Sequence, residues 1–163
     1  MKTLWTFGCS YTDSLKTMVK TDQNFGHYST FCQYKDWRGG VIPPSWPDLL
    51  SQKLNYKLKN KGQGSSSNYQ IFSQFCKNVK NYKEGDMIII EWTSMERFRF
   101  AKDNRLVSLS VGYLENNYED MISTKTLKEI LVNRMNPVWI EEVWEWIGFI
   151  NEFCKLKGIN ILY

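Results

Sequence analysis

The run Met87-Ile88-Ile89-Ile90 constrains this chain more than any other stretch. Four consecutive large apolar residues leave no polar face, so a strand made from them must be covered on both sides, as the strands of parallel sheets flanked by helices are. The turn residues Glu84-Gly85-Asp86 stand before the run and Glu91-Trp92-Thr93-Ser94 after it, which bounds the strand at both ends. A chain of 163 residues holds one domain with a substantial core. The expectation is therefore a single α/β domain over residues 1–163.

The remaining elements fit that frame. Residues 3–7 are a short β-prone run that stops at Gly8. Residues from about 12 to 45 are polar and aromatic without periodicity and read as a long irregular insertion. Ser45-Trp46-Pro47-Asp48 opens a helix that lasts to about Leu54, with Pro tolerated in its first turn. A second strand is expected at 56–58, followed by the small-residue loop Asn60-Lys61-Gly62-Gln63-Gly64-Ser65-Ser66-Ser67-Asn68. Phe72, Phe75, Cys76 and Val79 recur at helical spacing after it. Residues 105–111 read as a strand or hairpin arm, and 126–135 as a helix. Asn136-Pro137 starts a long helix that Gly158 ends. Its expected inner face is Ile140, Val143, Trp144, Ile147, Ile150 and Cys154, widened by Trp139, Trp146 and Phe153. Residues 159–163 begin another strand. Strands alternating with helices imply a mostly parallel sheet with helices on both sides, a three-layer α/β/α arrangement.

Charge and cysteine content narrow the function classes. From Ser51 to Lys83 there are seven lysines and no Asp or Glu, which would suit an anionic partner. A solvated surface, with Lys77, Lys80 and Lys83 near a helix C-terminus, is the reading adopted, so nucleic acid is not expected as a partner. Cys9, Cys32, Cys76 and Cys154 form no CxxC pair, and the chain has one histidine. Neither a metal site nor a cofactor is expected on that basis, and reduced thiols fit a cytosol-like compartment. With no signal-peptide run and no membrane-length apolar stretch, the protein is expected to be soluble and made in the cytoplasm.

Sites in open parallel sheets gather at the carboxyl ends of strands. Three such ends here hold candidate residues. Gly8-Cys9-Ser10-Tyr11-Thr12 presents a serine hydroxyl just after a strand, where a nucleophile needs exposure. The Gly62/Gly64 loop offers backbone N–H groups to an oxyanion. Glu91-Trp92-Thr93-Ser94-Met95-Glu96-Arg97 ends the central strand. Bland roles stand beside these: Ser10 as a helix cap, Cys9 as a small buried hydrophobe, Glu91 as a carboxylate satisfied by Arg97 or Arg99.

Taken together, Phe7-Gly8-Cys9-Ser10-Tyr11-Thr12, Asn60-x-Gly62-x-Gly64 and Ile88-Ile89-Ile90-Glu91-Trp92-Thr93-Ser94 resemble the first three blocks of the SGNH (GDSL-like) hydrolases, over roughly residues 1–97. With the Ser-Trp-Pro helix opening, the combination is similar to SGNH-like proteins of tailed bacteriophages. The resemblance implies a flavodoxin-like sheet and a serine hydrolase acting on an acyl ester of a carbohydrate or lipid. Ser10 is then the nucleophile. Its own N–H and that of Gly64 form the oxyanion hole, with Gly62, Thr93 and Ser94 as further candidate donors.

Two departures qualify this expectation. Cys9 replaces the Asp beside the serine, and Met95 falls where the family has its oxyanion Asn. Loss of one such donor typically costs roughly 10²–10³-fold in turnover. The family's Asp-x-x-His block would follow the last strand, and the sequence stops at Tyr163. The expectation is an N-terminal part of a longer protein, nearly inert as it stands, with His27 in the insertion on the wrong side of the chain for the base. The alternative is a non-catalytic structural or binding protein of a bacteriophage particle that touches other virion proteins.

Overall fold

The computed structural model describes residues 1–9, 11–13, 33, 36–64, 66–95, 97–102, 105–109, 125, 129, 132 and 137–163. Its centre is a four-stranded, all-parallel sheet in the order β2-β1-β3-β6, from β1 (Thr3–Phe7), β2 (Lys57–Asn60), β3 (Met87–Ile90) and β6 (Asn160–Leu162). Helices α1 (Trp46–Leu54), α2 (Asn68–Asn78) and α3 (Pro137–Leu156) are interspersed with the strands, the α/β alternation expected from the sequence. The expected second strand begins one residue late and reaches Asn60. Residues 105–109 form β5, antiparallel to β4 (Phe98–Lys102), in a separate two-stranded sheet. Of the helix expected at 126–135, Glu129 and Val132 are described and helical, and the rest lies outside the described residues. So does most of the insertion at 12–45.

Local chemistry sets the helix boundaries. The Asp48 carboxylate accepts both the N–H and the hydroxyl of Ser45, at 2.9 and 2.6 Å, and so secures the start of α1. Ser67 and Gln70 exchange side-chain and backbone bonds to cap α2. After α3, Gly158 takes φ +65°, a left-handed conformation that glycine adopts without a Cβ penalty.

Trp5 and Phe7 of β1 and Ile88 and Ile90 of β3 are buried against Ile71 and Phe75 of α2 and Ile150 and Cys154 of α3. Leu4 and Thr6, on the other face of β1, are fully buried too. Asp86, at the turn before β3, ties the amino ends of the strands together: its carboxylate accepts the Thr3 N–H at 2.8 Å, the Trp5 indole N–H at 3.1 Å and the Lys83 N–H at 3.1 Å.

Two helix faces differ from expectation. On α3, Ile140 and Trp144 are exposed, whereas Trp146 stacks on Phe72 with centroids 5.0 Å apart and Phe153 meets Phe75 edge-on at 5.8 Å. The inward stripe is thus Val143, Ile150 and Cys154, which are buried, with Trp146 and Phe153 half-buried beside them as the expected widening of that face. On α2, Cys76 is exposed and Ile71 takes the inner position, since Phe75 already occupies that turn of the core. Lys53, Lys57, Lys59, Lys77, Lys80 and Lys83 are exposed, and Lys61 is half-buried.

Candidate functional site

The carboxyl ends of β1, β2 and β3 are brought level by backbone bonds that extend the parallel ladder beyond the strands. On one side Lys61 N–H donates to Thr6 O at 2.8 Å and Gln63 N–H to Gly8 O at 3.1 Å; on the other, Glu91 N–H donates to Phe7 O at 2.8 Å. The three segments singled out in the sequence therefore do meet at one sheet edge. Ser10, His27, Ser65 and Glu96 lie outside the described residues.

Two backbone bonds close the turn that follows β1. Cys9 O accepts N–H groups from both Thr12 (3.1 Å) and Asp13 (3.0 Å). The Thr12 hydroxyl, fully buried, donates to the Glu91 carboxylate. Glu91 thus has a partner that the sequence did not suggest, Thr12, and among the described residues Arg97 Nη1 is buried without a hydrogen-bond partner. Gly8 is required here, because a Cβ would stand 2.1 Å from Thr12 Oγ1. Cys9 is buried at 3% exposure, in keeping with a small apolar filler.

Asn60 locks the second segment to the first. Its Oδ1 accepts the Thr6 hydroxyl (3.1 Å) and the Gly62 N–H (2.9 Å), and its Nδ2 donates to Thr12 O (2.7 Å). Gly62 sits hard against the turn, where an added Cβ would meet the Thr12 carbonyl carbon at 2.7 Å. The Gly64 N–H donates to Asp13 Oδ2 at 3.0 Å. Of the two glycine amides expected to face an oxyanion, that of Gly62 is thus held by Asn60 and that of Gly64 already faces an anion.

The third segment is fastened to α2. Thr93 N–H donates to Asn68 Oδ1 at 2.7 Å, and Asn68 Nδ2 donates to Thr93 O at 2.9 Å and to Met95 Sδ at 3.4 Å. Thr93 is half-buried, with its backbone committed to Asn68, while Ser94 is exposed. Asp13 had no mark in the sequence, and Asn60 and Asn68 only that of bounding the small-residue loop. The side-chain amides did have a signal, since polar residues bounding a glycine-rich loop commonly bond back to its backbone.

Among the described residues no three His, Cys, Asp or Glu side chains stand close enough to hold a metal ion, and no helix is long and apolar enough to cross a membrane. Comparison of the chain with family models, curated proteins and solved structures found no match.

Proposed function

We propose that the protein is an SGNH-type serine hydrolase whose sheet belongs to a three-layer, flavodoxin-like α/β/α fold. In this reading the Ser10 hydroxyl attacks the carbonyl carbon of an acyl ester, on a carbohydrate or a lipid, and passes its proton to a histidine base. The tetrahedral oxyanion rests on the N–H groups of residue 10 and Gly64. The alcohol leaves with the proton, and water then releases the acid from the serine ester. The resemblance assigns the base to an Asp-x-x-His block, which residues 1–163 do not contain.

One observation supports this reading above the others. The Gly64 N–H, on a loop bonded to the turn that follows β1, donates to a carboxylate oxygen at 3.0 Å, and an amide that donates to a negatively charged oxygen there is what an oxyanion donor in this loop would be. The sheet order around β1 and the burial of both faces of β1 support the fold assignment. The test is hydrolysis of p-nitrophenyl acetate by the full-length protein and its Ser10→Ala variant. The reading expects turnover that the substitution lowers by at least about 10³-fold; equal rates would overturn it.

A second reading, a non-catalytic structural or binding component of a bacteriophage particle, draws on a different observation. The N–H groups of Gly62, Gln63 and Gly64 all have acceptors within the protein, as expected of a loop retained for architecture. It predicts that full-length protein and Ser10→Ala are equally inert.

A further inference from the structure

Thr12 is wedged against two glycines. A Cβ at Gly8 would stand 2.8 Å from Thr12 Cβ, and one at Gly62 would stand 2.9 Å from the same atom. Neither position can carry a side chain while Thr12 keeps its place, so the segments after β1 and β2 both close on it.

The polar groups of Thr12 reach all three segments. Its N–H donates to Cys9 O at 3.1 Å, its carbonyl accepts Asn60 Nδ2 at 2.7 Å, and its hydroxyl donates to the Glu91 carboxylate. Asn60, at the end of β2, is held in turn by the Thr6 hydroxyl and the Gly62 N–H. Glu91, just after β3, is held by its N–H on Phe7 O at 2.8 Å. Because Thr12 is fully buried, loss of the Glu91 acceptor would leave its hydroxyl without solvent as a substitute. In sequence, residue 10 stands between Cys9 and Thr12, the two residues that one of these bonds joins. A hydrolase needs its reacting groups held in place, and misplacement by about 1 Å costs about 10²-fold in rate.

We infer that Thr12, through its hydroxyl bond to Glu91, is a positioning residue that holds the turn after β1 against the end of β3 and so sets the spacing of the three segments. Its catalytic meaning rests on the hydrolase reading, which puts the nucleophile on that turn. Glu91 serves here as a hydrogen-bond acceptor and takes no part in proton transfer.

The experiment takes two readouts on the full-length protein and its variants: hydrogen exchange of the Thr12, Asp13 and β3 amides, and kcat and KM for p-nitrophenyl acetate. Thr12→Val and Glu91→Ala remove the bond, whereas Thr12→Ser and Glu91→Gln keep a hydroxyl and an acceptor. The first pair should lose at least about tenfold in protection at Thr12 and Asp13 while β3 keeps its own. It should also lower kcat about 10²-fold with KM within about twofold of wild type. The second pair should recover both. Unchanged exchange at Thr12 and Asp13 in the first pair would overturn the inference. Equal loss of protection in β3, or unfolding of both Thr12→Val and Glu91→Ala, would do the same, because the bond would then serve global stability. So would Glu91→Gln as slow as Glu91→Ala, since charge and not the bond would matter, or an unchanged kcat in a protein that Ser10→Ala inactivates. The Ser10→Ala comparison is read separately: if that variant and wild type are equally inert, the hydrolase reading falls, and the exchange data alone decide whether Thr12 holds the turn.

Discussion

Gly62→Ala is expected to prise the second segment of the site away from the first. The new methyl would lie 2.7 Å from the Thr12 carbonyl carbon, 2.8 Å from Asp13 N and 2.9 Å from Thr12 Cβ. Ordinary carbon contacts lie at about 3.5–4.0 Å, so the loop must retreat by roughly 1 Å against backbone that cannot swing aside. Retreat by that amount stretches Asn60 Nδ2 to Thr12 O from 2.7 Å to about 3.7 Å, beyond hydrogen-bond range. It also loosens the Gly64–Asp13 and Gln63–Gly8 bonds. Overpacking of this kind costs about 1–3 kcal/mol and each lost bond about 1 kcal/mol, so a destabilisation of about 3 kcal/mol is expected. For a domain of this length that lowers Tm by about 6–12 °C. Gly64→Ala is the internal control, since its Cβ meets nothing described closer than 3.9 Å and its effect should stay within about 0.5 kcal/mol. Thermal melts of the two variants by circular dichroism decide the matter. Should Gly62→Ala melt within about 2 °C of Gly64→Ala, the tight apposition of the 62–64 loop and the 9–13 turn would be refuted.

Two further outcomes concern the scaffold. Asp86→Asn presents an amide N–H₂ to at least one of the donors Thr3 N–H, Trp5 Nε1–H and Lys83 N–H, and should cost about 2–4 kcal/mol, read as a lower urea midpoint at unchanged m; a loss under about 0.5 kcal/mol would contradict the assigned role. Burial pushes the Cys154 thiol up from its ordinary 9.0 to about 11. Because the folded pKa is the higher one, the stabilisation is complete below pH 9 and is lost as pH climbs from 9 through 11. Wild type should therefore lose Tm over that window more steeply than Cys154→Ala. At pH 8, a thiol reagent should modify exposed Cys76 without unfolding and Cys154 only with it; equal labelling rates would refute the burial of Cys154.

The amino-acid sequence by itself determined the class of architecture. Met87-Ile88-Ile89-Ile90 reads as an inner strand because it has no polar side, and the structure buries Ile88 and Ile90 while leaving Met87 and Ile89 half-buried; the Ser45–Asp48 and Pro137–Gly158 signals marked helix ends because capping and left-handed turns are local chemistry. The same locality marked Gly8 as the end of the first strand and residues 60–68 as a loop of small residues. The sequence also placed three candidate segments at strand ends, and the parallel ladder brought them to one edge.

Tertiary structure alone decided what those segments do to one another. The partner of Glu91 is Thr12, 79 residues away in sequence, and Asn60 reaches Thr12 across 48 residues; no local preference encodes either pairing. That Trp146 and Phe153 of α3 face inward while Ile140 and Trp144 do not depended on Phe72 and Phe75 being there to receive the two rings. Periodicity states that a helix has an apolar stripe, but when apolar residues surround most of its circumference, the opposing surface chooses which stripe is buried. For the same reason the meeting of Asp13 with Gly64 had no local signature: it exists only because β1 and β2 lie side by side and deliver their loops to the same height.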